Sequence, residues 1–224
     1  IDHMVRTTIL PGADIRIPPH PHAGFEVVTY LIAGEFFHRD TAGHEQVAKS
    51  GDLNWMTSGK GIVHSEGPTE DFLKKGGYLE LMQVWINLPE AKKEIDPSFR
   101  HYAGNSLPIV DSTEARVKVL VGNYAGKISP VSTHTPMFYY DIELRPGSTF
   151  LLPVQEEHTA ALYLINGELS VLGNTVKARQ LVHFDQHGSQ VAISANEPSR
   201  CIFFGGEPIK EKVVSYGPFV MNSM

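Results

Sequence analysis

Apolar residues in this chain come in runs of strand length, cut by glycines at short intervals. In residues 1–90 the cuts fall at Gly12, Gly34, Gly43, Gly51, Gly59-Lys60-Gly61 and Gly76-Gly77, and the runs between them predict successive short strands. Leu79 to Leu88 predicts an apolar strand containing Trp85, and Pro89-Glu90-Ala91-Lys92-Lys93-Glu94-Ile95 a short helix with Pro89 near its first position. A loop is expected over residues 101–107, strands over 117–121 and 137–144, and strand and turn again as far as Phe204. The tail from Gly205 to Met224 is apolar and is expected to dock on the body. The pattern also repeats. Thr29-Tyr30-Leu31-Ile32-Ala33-Gly34-Glu35-Phe36 matches Leu162-Tyr163-Leu164-Ile165-Asn166-Gly167-Glu168-Leu169, and Gly51 to Met56 matches Arg179 to Phe184. Gly61 to Glu66 then falls on Ser189 to Ser194. The chain therefore reads as all-β, with two similar β-domains in tandem over residues 1–115 and 116–224.

Composition narrows the function classes. The 224 residues are 42% hydrophobic and 20% charged, which suits a globular protein with a sizeable core, and the net charge is −6. No basic stretch with interleaved aromatics is present, which argues against direct nucleic-acid binding. No apolar run is long enough to span a membrane as a helix, and no signal-peptide pattern is visible. The lone Cys201 rules out an intrachain disulfide and fits a reducing compartment, the cytoplasm first, or the nucleus of a eukaryote. It lies in an apolar strand and reads as a buried, inert thiol. The chain begins in what reads as mid-strand at Ile1, so a preceding segment is expected.

The candidate chemistry lies in Pro19-His20-Pro21-His22 and in His64-Ser65-Glu66. In a strand, residues i and i+2 point to one face, so each segment can aim two ligands at one point. Two such strands facing each other make a cage of His20, His22, His64 and Glu66. Imidazole and carboxylate donors without thiolate suit Fe(II), Mn(II), Ni(II), Cu(II) or Zn(II). Glu26 competes with Glu66 for the carboxylate position; Glu66 shares a strand face with His64, which leaves Glu26 as a hydrogen-bonding residue behind the ligands or in the core. His38, His44 and His101 lack a ligand partner at useful spacing and read as surface or loop residues. Carried across the repeat, His20 falls on Pro153, His22 on Gln155, His64 on Ala192 and Glu66 on Ser194. The second copy loses all four ligands and is expected to be metal-free, with His134, His158, His183 and His187 structural or exposed.

These segments resemble the cupin superfamily and, within it, the pirin family. The resemblance rests on Pro19-His20-Pro21-His22-Ala23-Gly24-Phe25-Glu26 and on the long run from Gly51-Asp52-Leu53-Asn54-Trp55 to Gly61-Ile62-Val63-His64-Ser65-Glu66. Gly205-Gly206-Glu207-Pro208 and Tyr216-Gly217-Pro218-Phe219 fit it as well. The resemblance implies a bicupin, two jelly-roll-type antiparallel barrels, with one metal in the N-terminal barrel on His20, His22, His64 and Glu66. Iron is the usual assignment in the family. The start of the chain departs from the family pattern by lacking its first strands.

The resemblance implies two kinds of activity. One is metal-dependent opening of a flavonol ring of the quercetin type by O2, with Glu66 as the catalytic base. The other is an iron-binding, redox-sensing module that acts on a protein partner as a transcription cofactor. A cupin enzyme that uses its metal only as a Lewis acid is a third reading, since the fold hosts many chemistries.

Overall fold

The computed structural model of the chain describes residues 1–223. It divides into two compact units, Ile1–Ser106 together with the stretch from Ile209 on, and Leu107–Pro208. The sequence places the division at residue 115 and the tail in the second domain. The division falls earlier because the strand Ile109–Asp111 pairs with Ala115–Val121 as a hairpin of the second unit. The tail differs because its backbone bonds run to the first unit.

Up to Ser106 the first unit holds nine strands: β1 (Asp2–Ile9), β2 (Ile17–His22), β3 (Phe25–Ala33), β4 (Glu35–Asp40), β5 (Glu45–Lys49), β6 (Leu53–Thr57), β7 (Ile62–Pro68), β8 (Gly77–Asn87) and β9 (Ser98–Tyr102), and its tail adds the hairpin of Val214–Tyr216 with Phe219–Met221. They form two antiparallel sheets, in the orders β1-β8-β3-β6-β9 and β2-β7-β4-β5. The central strand β3 is buried at seven consecutive positions, Phe25 to Leu31, so its apolar run is continuous instead of alternating. At the other extreme stands β2, with Pro18, Pro19 and Pro21 among its six residues. A strand that cannot donate at three positions is tolerated at a sheet edge, and β2 is the edge strand of its sheet. Its register against β7 slips between Ile17, opposite Glu66, and His20, opposite His64. Such a bulge re-aims the side chains that follow it.

Three local expectations differ from the structure. His101 is the fourth residue of β9, where it pairs with Asn54 of β6, so the expected loop starts later. The expected helix over residues 89–95 is a single 3-10 turn, Glu90–Lys92, capped by Lys93, whose amide bonds back to the Glu90 carbonyl and whose side chain is buried. A six-residue helix, α1 (Glu70–Lys75), was not anticipated; Thr69 caps it by accepting from the Phe72 amide at 3.1 Å.

The second unit repeats the plan. Its sheets run Ile109–Asp111, Ala115–Val121, Met137–Leu144, Ser199–Gly206, Thr159–Asn166, Leu181–Phe184 and, separately, Ser148–Pro153, Gln190–Ala195, Glu168–Val171, Asn174–Lys177. Its interior is a continuous apolar cluster that includes Leu152, Leu162, Val171, Val191, Ile193 and Phe203.

The tail is pinned to the metal-motif end of the first unit. Val220 donates its amide to the Ala23 carbonyl at 3.0 Å. Buried Lys93 donates to the Gly24 and Val220 carbonyls, each at 2.8 Å, and to Asn87 Oδ1 at 2.6 Å. Gly24 lies under this clamp at φ +82°, where a Cβ would strike the Val220 carbonyl oxygen. Lys93→Met keeps the stem and strips buried carbonyls of their donor, so it should cost about 2 kcal/mol in urea unfolding. An unchanged midpoint would show that the clamp is not a stability element.

Candidate metal centre

The bulge in β2 and the alternation of β7 bring three imidazoles together. His20 lies directly opposite His64, and His22 opposite Ile62. The ring centroids are 4.3 Å apart for His20 and His64, 4.8 Å for His20 and His22, and 5.0 Å for His22 and His64. One nitrogen from each of the three lies within 4.8 Å of the others. His20 is half-buried, while His22 and His64 are buried. A carbonyl only accepts, so His20 Nδ1, 2.9 Å from the Pro18 oxygen, carries the proton and leaves Nε2 bare.

Glu66 does not fall in this trio. It joins a second group with His38 and His64, again within 4.8 Å, so His64 belongs to both. Glu66 Oε1 is 3.6 Å from His64 Nδ1 and 3.9 Å from His38 Nδ1, and Oε2 accepts from Gln83 Nε2 at 3.0 Å. Buried Glu26 accepts from Trp55 Nε1 at 2.8 Å and Thr57 Oγ1 at 2.6 Å, which is the core hydrogen-bonding role expected of it.

His38 corrects the sequence reading. It is no surface residue: it is 2% exposed, its Nε2 lies 3.0 Å from Asp40 Oδ2, and its ring stacks on Phe99 at 4.2 Å. The ladder sets His38 opposite Glu66 and Asp40 opposite His64. His38-x-Asp40 is itself an i, i+2 pair, and that spacing was the signal available in the sequence. His44 is half-exposed, with Nδ1 3.0 Å from both Asp40 oxygens. His101 is half-buried, 2.8 Å from Asn54 Oδ1.

Electrostatics favours the ligand forms. Burial, reinforced by His20, lowers the His22 pKa to about 4 against the opposing pull of a backbone bond at Pro218 and of Glu66. Burial lowers His64 to about 4 as well; Glu66 opposes it, and His20, His22 and His38 add to it. For Glu66, burial pushes the pKa up, but the His38 bond, His64 and Gln83 outweigh it and hold the carboxyl below its ordinary value. Neutral imidazoles thus face an ionised carboxylate at neutral pH.

The fit to a metal can be tested on hydrogen bonding. His22 Nδ1 and His64 Nε2 are buried and have no partner among the described residues. Buried polar atoms almost always find partners, so two orphaned imidazole nitrogens beside a third bare one mark a place for a Lewis acid. The cluster fits a metal site of mixed nitrogen and oxygen donors.

The second unit shows the same positions without the chemistry. With Gly34 matched to Gly167, Phe36 corresponds to Leu169; these lie opposite Pro68 and Ala195. Stepping back along each ladder puts Ile193 at the Glu66 position and Val191 at the His64 position. Leu152 lies opposite Val191 as His20 lies opposite His64, and Val154 follows it as His22 follows His20. His38 corresponds to Val171. The ungapped sequence alignment, which set Ala192 on His64 and Pro153 on His20, is one residue out because the connection after Phe184 is one residue shorter than that after Met56, and the connection from Leu152 to Ala160 is one residue longer than that from His20 to Val27. A one-residue slip reverses which face each side chain takes. The four equivalents are thus Leu152, Val154, Val191 and Ile193, which belong to or pack against the apolar core.

Comparison with known proteins bears on the same residues. Residues 1–86 match the family model described as Pirin, and residues 139–224 the model described as Pirin C-terminal cupin domain. A pirin-like protein of Solanum lycopersicum is 40% identical over 211 residues, covering 92% of this chain and 70% of that protein. The pirin of Homo sapiens is 34% identical, covering 92% and 71%. The crystal structure of a quercetin 2,3-dioxygenase from Acinetobacter baumannii superposes with a TM-score of 0.95 at 29% identity, covering 99% of this chain and 78% of that one. No helix among the described residues is long and apolar enough to cross a membrane.

The depressed histidines set a pH dependence for the metal-free protein. Both fold with a pKa near 4 and unfold to an ordinary 6.5, so the unfolded chain binds more protons between those values. Stability should be full above the unfolded value and fall as pH drops from 6.5 toward 4. Urea midpoints measured across that window should decline, and a flat profile with the histidines intact would contradict the burial argument.

Proposed function

The chain belongs to the pirin family, and on that premise we propose that it is a metal-dependent dioxygenase that opens the ring of a quercetin-type flavonol with O2. The observation that carries the reading is the orphaned pair, His22 Nδ1 and His64 Nε2, placed beside an exposed aromatic surface. His20, His22 and His64 would hold the metal, Fe(II) by family habit, and Glu66, on the Nδ1 side of His64, would become the fourth donor by a change of rotamer. A bound divalent metal supplies the acidity that lowers the pKa of a coordinated hydroxyl and the electrons that engage O2.

The remaining steps belong to the protein. Glu66 is ionised and is the base that takes the flavonol hydroxyl proton. Gln83 holds the other carboxylate oxygen, which orients the group, and its own Oε1 accepts from Trp85 Nε1 at 3.4 Å. The Trp85 ring lies 5.2 Å from His22 and 4.5 Å from Phe25, yet is 46% exposed. An indole open to solvent on one side and set against a ligand imidazole on the other is a stacking wall for a flat aromatic substrate. The apolar cluster of Phe25, Val27, Met56 and Ile62 lies beside the histidines, with Phe25 5.1 Å from the His22 ring, and would help exclude water.

Two variants test this. Glu66→Gln retains an oxygen donor but cannot take a proton, so flavonol-dependent O2 uptake by the iron-loaded protein should fall at least about a hundredfold. Trp85→Ala should raise KM for the flavonol about tenfold, with metal content unchanged, for loss of roughly 1.4 kcal/mol of stacking. Absence of O2 uptake and of any spectral change with flavonol at full iron loading would sink the dioxygenase reading in favour of the redox-sensing interaction module.

A further inference from the structure

We propose that Lys93 and the C-terminal hairpin are positioning elements for His22: docking of the tail fixes the turn after β2 and, through it, the place of the His22 ring in the imidazole trio. This rests on the metal-binding part of the function proposed above and adds residues that do not themselves touch the metal.

His22 is the last residue of β2, an edge strand whose only neighbour in its sheet is β7. The end of such a strand frays unless something beyond the sheet holds it. The tail does so. Phe219 forms a parallel bridge with Ala23, the residue after His22. The Ala23 amide donates to the Pro218 carbonyl at 3.4 Å, and the Ala23 carbonyl accepts from the Val220 amide at 3.0 Å. The Gly24 amide donates to the Gly59 carbonyl at 2.8 Å, and the Gly24 carbonyl accepts from Lys93 at 2.8 Å. Every backbone polar group of Ala23 and Gly24 is thus engaged, and the tail or Lys93 supplies all the partners but Gly59.

Lys93 joins three segments at this point. Its ammonium donates to Gly24 on the turn, to Val220 on the tail and to Asn87 Oδ1 at the end of β8, which uses its whole donor capacity. Side-chain packing follows the same line. Val220 packs on the cluster of Phe25, Val27, Met56 and Ile62. Phe25 meets the His22 ring edge-on at 5.1 Å, and Ile62 is the cross-strand partner of His22. The tail therefore reaches this ligand both through the backbone and through the core. His20 and His64 are set by β2 and β7 against each other.

The hairpin itself is two three-residue strands, with Tyr216 exposed, and a piece so small does not hold together alone. Docked and released tail are then two states of one element. If docking improves the metal site, metal improves docking by the same factor. The second unit has no ligand at the matching position, Val154, and its turn there is exposed at Gln155, Glu156 and Glu157.

A thermodynamic cycle separates positioning from general support of the fold. Zn(II) affinity of the folded full chain, read by competition with a chromophoric chelator, should drop at least about fivefold in Lys93→Met. In a His22→Ala background the same substitution should cost nothing further, because the ligand it acts through is gone. Hydrogen exchange of the wild-type chain gives the reverse reading. Zn(II) should slow the Val220 amide at least about fivefold more than the amides of β1. A folded Lys93→Met protein with unchanged Zn(II) affinity, or an equal loss with and without His22, would overturn the proposal. A Val220 amide that Zn(II) slows no more than β1 would overturn it too, and that measurement decides if the variant does not fold. Neither measurement involves flavonol. Failure of the wild-type chain to take up Zn(II) would sink the metal reading and this proposal with it, whereas uptake without the coupling would sink the proposal alone.

Discussion

Everything at the candidate centre depends on how β2 is laid against β7. Three prolines leave β2 with few amides to give, so it can sit only at the sheet edge, and the bulge after Ile17 sets its phase. With that phase His20 faces His64 and His22 follows into the buried side. One residue more or less would turn both imidazoles outward. The side-chain clamp of Lys93 acts on the next turn of the same segment, at Gly24, and ties it to the tail. The motif is therefore held at its far end by Lys93, 69 positions from Gly24, and by the tail at Val220.

The two units show what that framework is for. They share the strand order of the smaller sheet and of four strands of the larger one, and the second has apolar residues at the positions of the candidate ligands. Leu152, Val191 and Ile193 belong to the apolar core of the second unit, where the first unit has buried polar side chains. Polar atoms in an interior cost free energy unless they are paired. The first unit tolerates its histidines because His38, Asp40, Gln83 and Glu66 pair with one another and because two nitrogens remain for a metal.

Much of this was legible in the sequence. Glycine-punctuated runs gave the all-β plan and the tandem repeat, and the i, i+2 spacing pointed to His20, His22 and His64, which the structure brings together. What escaped did so for physical reasons. His38 and Asp40 have the same spacing, but their partners lie on β7, and strand neighbours are a matter of topology rather than of sequence distance. Glu66 was expected in one cage with three histidines, whereas its carboxylate sits on the Nδ1 side of His64, a choice of rotamer that spacing does not encode. The repeat was found but aligned one residue out, because one-residue length differences in two connections, one shorter and one longer, are invisible when the flanking strands are matched without a gap. The tail was expected to dock, yet the residue that holds it, Lys93, looked like one charge among several in a helix.

The central claim is that one metal is bound in the first barrel by three imidazoles with a carboxylate oxygen close by. X-ray absorption at the metal edge of the Fe(II)-loaded protein tests it directly. The account predicts one metal per chain with three imidazole scatterers and oxygen at about 2.0–2.2 Å. A spectrum fitted by fewer than two imidazoles, or by a sulfur donor from Cys201, would contradict it.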